Sequence, residues 1–144
     1  MYGPMSGRIN RREYWIAIAV VLALAIGLAF TPISPAAANT GITLAWLFVW
    51  GRRLHDISLS AWWAAAPMLV MVAIVVAGFV LGGKEMTDAF GAVQAGKQGA
   101  ASDKGVYEVS AMLLLMVIIQ FGFTLWLGIR RGDPQPNQWG PARP

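Results

Sequence analysis

Long apolar runs separated by short polar stretches dominate the hydropathy pattern of this chain. The runs lie at about 14–31, 36–51, 61–81 and 107–129. A helix needs roughly 17 to 25 mostly apolar residues to cross a bilayer core about 30 Å thick. The pattern therefore predicts an all-α, multi-pass membrane protein: a four-transmembrane-helix bundle that forms a single integral membrane domain over residues 1–144.

Local signals predict where the first and third helices begin, end or bend. Asn10 followed by Glu13 is a capping box, which predicts that the first helix begins at Arg11. Pro32 predicts its end. Pro67 lies one turn inside the third run, where we expect a kink.

The segment between the last two runs, residues 82–105, is rich in glycine, alanine and small polar residues. We interpret it as a flexible external loop with little site chemistry. Met86, Phe90 and Val93 could line one face of a short interfacial helix, but the glycines disfavour that alternative.

The composition favours lipid as the surrounding solvent. The chain is 57% hydrophobic and 12% charged, whereas a soluble domain carries roughly 25% charged residues. It contains no cysteine, which excludes disulfides and thiolate metal sites. The net charge of +4 could suggest nucleic acid. The arginines, however, stand in short clusters beside the apolar runs, so we expect anionic phospholipid headgroups as partners and no nucleic acid.

The arginines also predict the orientation of the chain. With four spans, all of them fall on one side of the membrane: Arg8, Arg11, Arg12, Arg52, Arg53, Arg130, Arg131 and Arg143. The positive-inside rule then places both termini, the turn at 52–60 and the tail at 130–144 in the cytoplasm, with the chain in the inner (plasma) membrane. A three-span arrangement without the second run would put Arg52 and Arg53 on the opposite side.

A cleavable secretory signal is an alternative interpretation of the first run. A basic stretch, an apolar run and then alanines at 36–38 fit that pattern. The run is long for such a signal, and cleavage would remove the arginines that orient the chain best. We therefore expect the first run to be retained.

Catalysis and transport both lack a clear signature. The chain has one histidine, and the cores of the four runs contain no carboxylate, so we expect no enzyme activity, no cofactor and no metal. We take Thr43, Gln120 and Thr124 as the membrane-embedded polar residues of the spans. Gln120 and Thr124 share one helix face, which is more typical of helix packing than of a substrate path. A small transporter or an oligomeric channel stays open as the alternative.

The stretch RRLHDISLSAWW, residues 52–63, indicates a structural or binding role instead. Guanidinium groups match phosphate geometry bidentately. We expect a cytoplasmic cap that contacts anionic lipid or a partner, either another membrane protein or a second copy of this chain. Its candidate residues are Arg8, Arg11, Glu13, Arg52, Arg53, His55, Asp56, Trp62 and Trp63. Alternatively, the arginines only set the topology and anchor the helix ends.

Three segments resemble a known family. GRINRREYW (7–15), RRLHDISLSAWW (52–63) and GDPQPNQWGP (132–141) are similar to the signatures of the small bacterial inner-membrane family called "domain of unknown function 805". The resemblance implies a helical bundle in the inner membrane and supplies no established activity. Leu59 departs from the pattern, because the family usually has a basic residue in this turn.

All three segments fall on the predicted cytoplasmic side, so we hypothesise that they assemble into one cap. Glu13 and Asp56 would be the carboxylates that pair with Arg52, Arg53 or Arg11. The tail would fold back beneath the bundle, with Asn137, Trp139 and Gly140 packed.

Overall fold

A computed structural model describes residues 7–97 and 102–141. Within those ranges the chain forms four α-helices and no strand: α1 (Arg11–Leu28), α2 (Pro35–Asp56), α3 (Ala65–Gln94) and α4 (Asp103–Ile129). A 3-10 turn, Ala61–Ala64, precedes α3. The predicted spans at 14–31, 36–51, 61–81 and 107–129 each fall largely within one of these helical segments. Arg143, one of the arginines used to predict orientation, lies outside the described residues.

The capping box at the start of α1 is confirmed. The Asn10 side chain accepts a hydrogen bond from the Glu13 backbone at 2.8 Å, and the Glu13 carboxylate accepts from the Asn10 backbone at 2.9 Å. These two bonds satisfy N–H groups that have no partner inside the helix. The helix ends at Leu28, before Pro32.

The second helix extends beyond the predicted run, through the Arg-Arg-Leu-His-Asp stretch to Asp56. Basic residues in a last helical turn are favourable because the exposed carbonyls there carry partial negative charge. The chain then turns at Ser58, whose φ of 60° is left-handed. Ser60 caps the 3-10 turn that follows.

The kink expected in the third helix lies elsewhere. Pro67 is in the first turn of α3, where a missing N–H costs no helical hydrogen bond. The non-helical residue inside α3 is Gly83, with φ of 56° and ψ of −136°. Glycine adopts this left-handed conformation without the steric cost that a Cβ would add.

The chain divides into two compact units. The first comprises residues 1–65 and 124–144, of which 7–65 and 124–141 are described. Its buried side chains include Tyr14, Trp50 and Leu127. Thr124, in α4, binds the other two helices of this unit. The Thr124 backbone carbonyl accepts from the Tyr14 hydroxyl of α1 at 2.9 Å, and the Thr124 hydroxyl accepts from the Trp50 indole of α2 at 3.2 Å.

The second unit comprises residues 66–123. In this unit the prediction of a loop at 82–105 is wrong. Residues 84–94 are helical, and α4 already begins at Asp103. The glycines do not prevent the helix because tertiary packing outweighs their low propensity. Met86 is buried with Ala89, Val109 and Met112, and Phe90 and Val93 pack against that core.

Two segments of the described chain are long and apolar enough to cross a membrane. They are 61–94, which joins the 3-10 turn to α3, and α4. Their large apolar side chains are mostly open to the surroundings. Examples are Leu69, Val72, Val80, Leu114 and Ile118, all more than half exposed. Such surfaces suit hydrocarbon rather than water.

We expect Gly105→Ala to destabilise the second unit. A Cβ at Gly105 would lie 2.7 Å from the Glu85 carbonyl oxygen and 2.8 Å from the Ala89 methyl group, so helix backbones would have to separate. Overpacking of this kind costs about 1–3 kcal/mol. Gly91→Ala is the matched control, because a Cβ there meets nothing within 4 Å. Thermal unfolding in detergent, followed by circular dichroism, checks both variants. Equal melting temperatures for Gly105→Ala and wild type would contradict the close approach.

Candidate functional site

A buried carboxylate lies between two buried guanidinium groups in the first unit. Asp56, the last residue of α2, accepts a hydrogen bond from Arg8 Nε at 3.1 Å on one oxygen. Its other oxygen accepts from Arg53. The exposed fractions of Arg8, Arg53 and Asp56 are 1%, 0% and 2%. We call these three residues the Arg–Asp cluster.

The remaining donors of Arg53 bind backbone carbonyls near the end of α4. They reach Leu127 O at 3.1 Å and Arg130 O, and a further bond reaches Ile9 O at 3.2 Å. Arg11 adds a bond of 2.6 Å to Ile129 O. The last carbonyls of a helix lack partners within it, and they carry partial negative charge. Arginine side chains from α1 and α2 therefore complete the C-terminus of α4.

Arg8 connects the N-terminal segment to the tail. It donates to the backbone carbonyls of Asp56 at 3.3 Å, of Gln135 at 2.7 Å and of Asp133. The Asp133 backbone in turn donates to Asp56 O at 2.7 Å. Gly132 fits against the carboxylate itself, since a Cβ there would overlap the side chain of Asp56. The three sequence segments are thus in direct contact at the Arg–Asp cluster.

The tail is also held by the residue before Asp56. Asn137 donates to His55 O at 2.8 Å, and the Trp139 ring stacks on the His55 ring with centroids 4.6 Å apart and planes 7° apart. The backbones of Asn137 and Gly140 form a pair of hydrogen bonds that closes a small turn. Stacking and hydrogen bonding together order the end of a proline-rich tail.

The environment of the cluster decides the charge states of two groups. Burial raises the pKa of Asp56 above its ordinary range, although the charges of Arg53 and Arg8 oppose this shift. With a guanidinium on each oxygen, we assign the carboxylate to its ionised form. Burial lowers the pKa of His55, a hydrogen bond with the Gly7 backbone raises it, and the charge of Arg52 lowers it. His55 is therefore neutral near pH 7.

The other predicted site residues lie outside the cluster. Glu13 caps α1, as described above. Arg52 is half-buried, with its guanidinium carbon 5.5 Å from the centre of the Phe48 ring. Trp62 and Trp63 are 85% and 58% exposed. Of the predicted partners Arg52, Arg53 and Arg11, only Arg53 pairs with Asp56, and the second partner is Arg8.

An apolar groove of ≈ 780 Å³ runs beside the cluster. One wall is the face of α2 that carries Leu44, Leu47 and Phe48, and the other is the 3-10 turn that follows Ser60. His55 and Trp139 line its polar end. Sequence reasoning missed this groove, because its aliphatic residues have the same chemistry as those that face lipid. Among the described residues, no three His, Cys, Asp or Glu side chains are placed to hold a metal ion.

We expect Asp56→Asn to be strongly destabilising. The amide keeps the shape of the side chain but leaves two buried guanidinium groups without a counter-charge. Breaking one partner of a buried ion pair costs about 3–5 kcal/mol. Asp88→Asn is the matched control: it removes an exposed carboxylate 2.5 Å from Lys84, and we expect little change. Thermal unfolding in detergent measures both, and an equal effect of the two substitutions would show that the Arg–Asp cluster is not a stabilising ion pair.

Comparison with known proteins places the chain in a family. No match was found among curated proteins or among solved structures. A family model, described as "Protein of unknown function (DUF805)", matches residues 2–141. That match covers all three segments that meet at the Arg–Asp cluster. The chain belongs to the DUF805 family.

Proposed function

We propose that this chain is a four-span protein of a bacterial inner membrane with both termini in the cytoplasm. Its cytoplasmic end binds the headgroups of anionic phospholipids. The Arg–Asp cluster is the structural centre of that end, and the role of the protein is binding and structural rather than catalytic.

The surfaces of α1 and α2 support two spans in addition to α3 and α4. Ile16, Val20 and Leu24 on α1 and Leu44 on α2 are each more than half exposed. At 1.5 Å per residue, the uncharged parts of the two helices are about 22 and 26 Å long. Snorkelling arginines and slight thinning of the bilayer accommodate lengths below about 30 Å.

The arginines at the predicted cytoplasmic end differ in burial, and this difference is the observation that carries the lipid-binding proposal. Arg8 and Arg53 are buried and donate to groups of this chain. Arginines at the same helix ends remain outside the cluster. Arg52 is half-buried, and Arg11, Arg12, Arg130 and Arg131 are exposed. Near an anionic membrane surface such residues contribute about 1 kcal/mol each. The exposed rings of Trp62 and Trp63 suit the headgroup region.

The geometry of the cluster disfavours a catalytic role. Both oxygens of Asp56 accept hydrogen bonds from guanidinium groups, so the carboxylate has little capacity to accept a proton from a substrate. His55 is stacked beneath Trp139 and only 5% exposed. Asp56 and His55 are the acid–base candidates within the Arg-Arg-Leu-His-Asp stretch, and both are held by contacts within the protein.

Single cysteines test the topology, since the chain has none of its own. We expect Thr31→Cys and Lys97→Cys to react with a membrane-impermeant maleimide in intact cells, because four spans place both outside. We expect Gln138→Cys to react only after the membrane is permeabilised. All three positions are exposed on the protein surface, so they differ only in membrane side.

The pattern at Thr31 distinguishes four spans from two. If only the segments at 61–94 and 103–129 crossed the membrane, Thr31→Cys would be protected together with Gln138→Cys, while Lys97→Cys would still react. That outcome would overturn the four-span arrangement. Reaction of Gln138→Cys in intact cells would overturn the cytoplasmic placement of the tail.

Exchange of two exposed arginines tests the lipid preference. In nanodiscs of mixed phosphatidylglycerol and phosphatidylcholine, native mass spectrometry reads which lipids leave the disc with the protein. We expect enrichment of phosphatidylglycerol, reduced in Arg130→Gln/Arg131→Gln. The control, Lys84→Gln/Lys97→Gln, removes the same charge from exposed positions outside the predicted cytoplasmic end. An equal loss of enrichment in both variants would show that net charge alone sets the lipid preference. That outcome would contradict a headgroup-binding surface at the cytoplasmic end.

A further inference from the structure

We propose that the groove between α2 and the 3-10 turn holds one anionic phospholipid. An acyl chain lies along α2, and the phosphate binds at Arg52. This inference deepens the proposed lipid-binding function and rests on it, because it assigns a defined site for a single lipid within the general headgroup surface.

The shape of the groove fits a chain from one leaflet. Leu44, Phe48 and His55 are spaced by four and seven residues, so they lie on one face of α2. From Leu44 to His55 the helix rises about 16 Å. The hydrocarbon of one leaflet is about 15 Å deep. The volume of ≈ 780 Å³ is within the range of known ligand pockets.

Two unsatisfied polar atoms lie in or next to the lining of the groove, because His55 lines it and Arg52 contacts the lining residue Phe48. Arg52 Nε and His55 Nδ1 are buried and have no hydrogen-bond partner among the described residues. Buried polar atoms without partners are uncommon in folded proteins. Arg52 lies over the Phe48 ring, which itself lines the groove. A guanidinium with a spare donor therefore lies against one of the residues that line the apolar groove.

This combination of charge and apolar surface selects the ligand class. A guanidinium binds phosphate through charge-assisted hydrogen bonds, and the aliphatic and aromatic walls exclude water from a hydrocarbon chain. Arg53 lies next in sequence but cannot contribute, since its donors are occupied within the protein. An anionic phospholipid has both parts, the phosphate and the chain, in the required order along α2.

The test is a lipid titration of the full-length protein in mild detergent, read by native mass spectrometry. The probes are dioleoyl phosphatidylglycerol, dioleoylglycerol with the same chains but no phosphate, and glycerol 3-phosphate with no chains. We compare wild type with Arg52→Gln, with Ala65→Phe, which fills the groove, and with the control Lys97→Gln, which removes one exposed positive charge outside the predicted cytoplasmic end. Melting temperatures establish that each variant is folded.

We expect one phosphatidylglycerol to bind saturably to wild type and to Lys97→Gln. We expect affinity to fall roughly tenfold or more in Arg52→Gln, as for loss of a charge-assisted hydrogen bond. Folded Ala65→Phe should lose the saturable lipid as well, and neither partial probe should replace it. Equal affinity in Arg52→Gln and Lys97→Gln, equally tight dioleoylglycerol, or dimers in place of a bound lipid would overturn the groove site.

The same titration separates this inference from the function on which it rests. Phosphatidylglycerol enrichment in nanodiscs without a saturable single lipid in detergent would overturn the groove and leave the headgroup surface standing. No preference for phosphatidylglycerol in either experiment would overturn both.

Discussion

The first unit depends on the ion pairs that the ionised carboxylate of Asp56 makes with Arg8 and Arg53. Two guanidinium groups and one carboxylate leave a net charge of +1 that is almost completely buried. Partial negative charge at the C-termini of α2 and α4 compensates for the remainder, because their last carbonyls accept from the same arginines. Removing any one of these charges would leave the others without compensation in a region of low dielectric constant.

Local signals predicted the helices well, and tertiary packing explains the differences. The capping box at Asn10 acts within one turn, so the start of α1 could be predicted from neighbouring residues alone. The helix across residues 84–94 could not, because it depends on Met86 and Phe90 packing with residues about 20 positions away in α4. The glycine content predicts a low helix propensity for the isolated segment. In the folded chain, burial of these side chains compensates for that low propensity.

Sequence patterns located the polar cluster without revealing its pairing. Charge and motif singled out Arg8, Arg53 and Asp56, but several arginines were equally plausible partners for one carboxylate. The choice depends on which side chain can also reach carbonyls of the tail and of α4, a condition that is set in three dimensions. The two neighbouring arginines therefore differ: Arg53 is internal, whereas Arg52 is half-buried, lies over the Phe48 ring and keeps a spare donor.

The sequence separation within the cluster has a consequence for biosynthesis. Arg53 and its acceptor at Arg130 are 77 residues apart. At translation rates of about 5 to 20 residues per second, roughly 4 to 15 s pass between the synthesis of these two residues. During that interval Asp56, three residues away, is already available to Arg53, but the donors that later bind carbonyls of α4 must stay hydrated. Closure of the cluster therefore cannot be completed before the final helix and the tail have been made, because their carbonyls accept from Arg53 and Arg8.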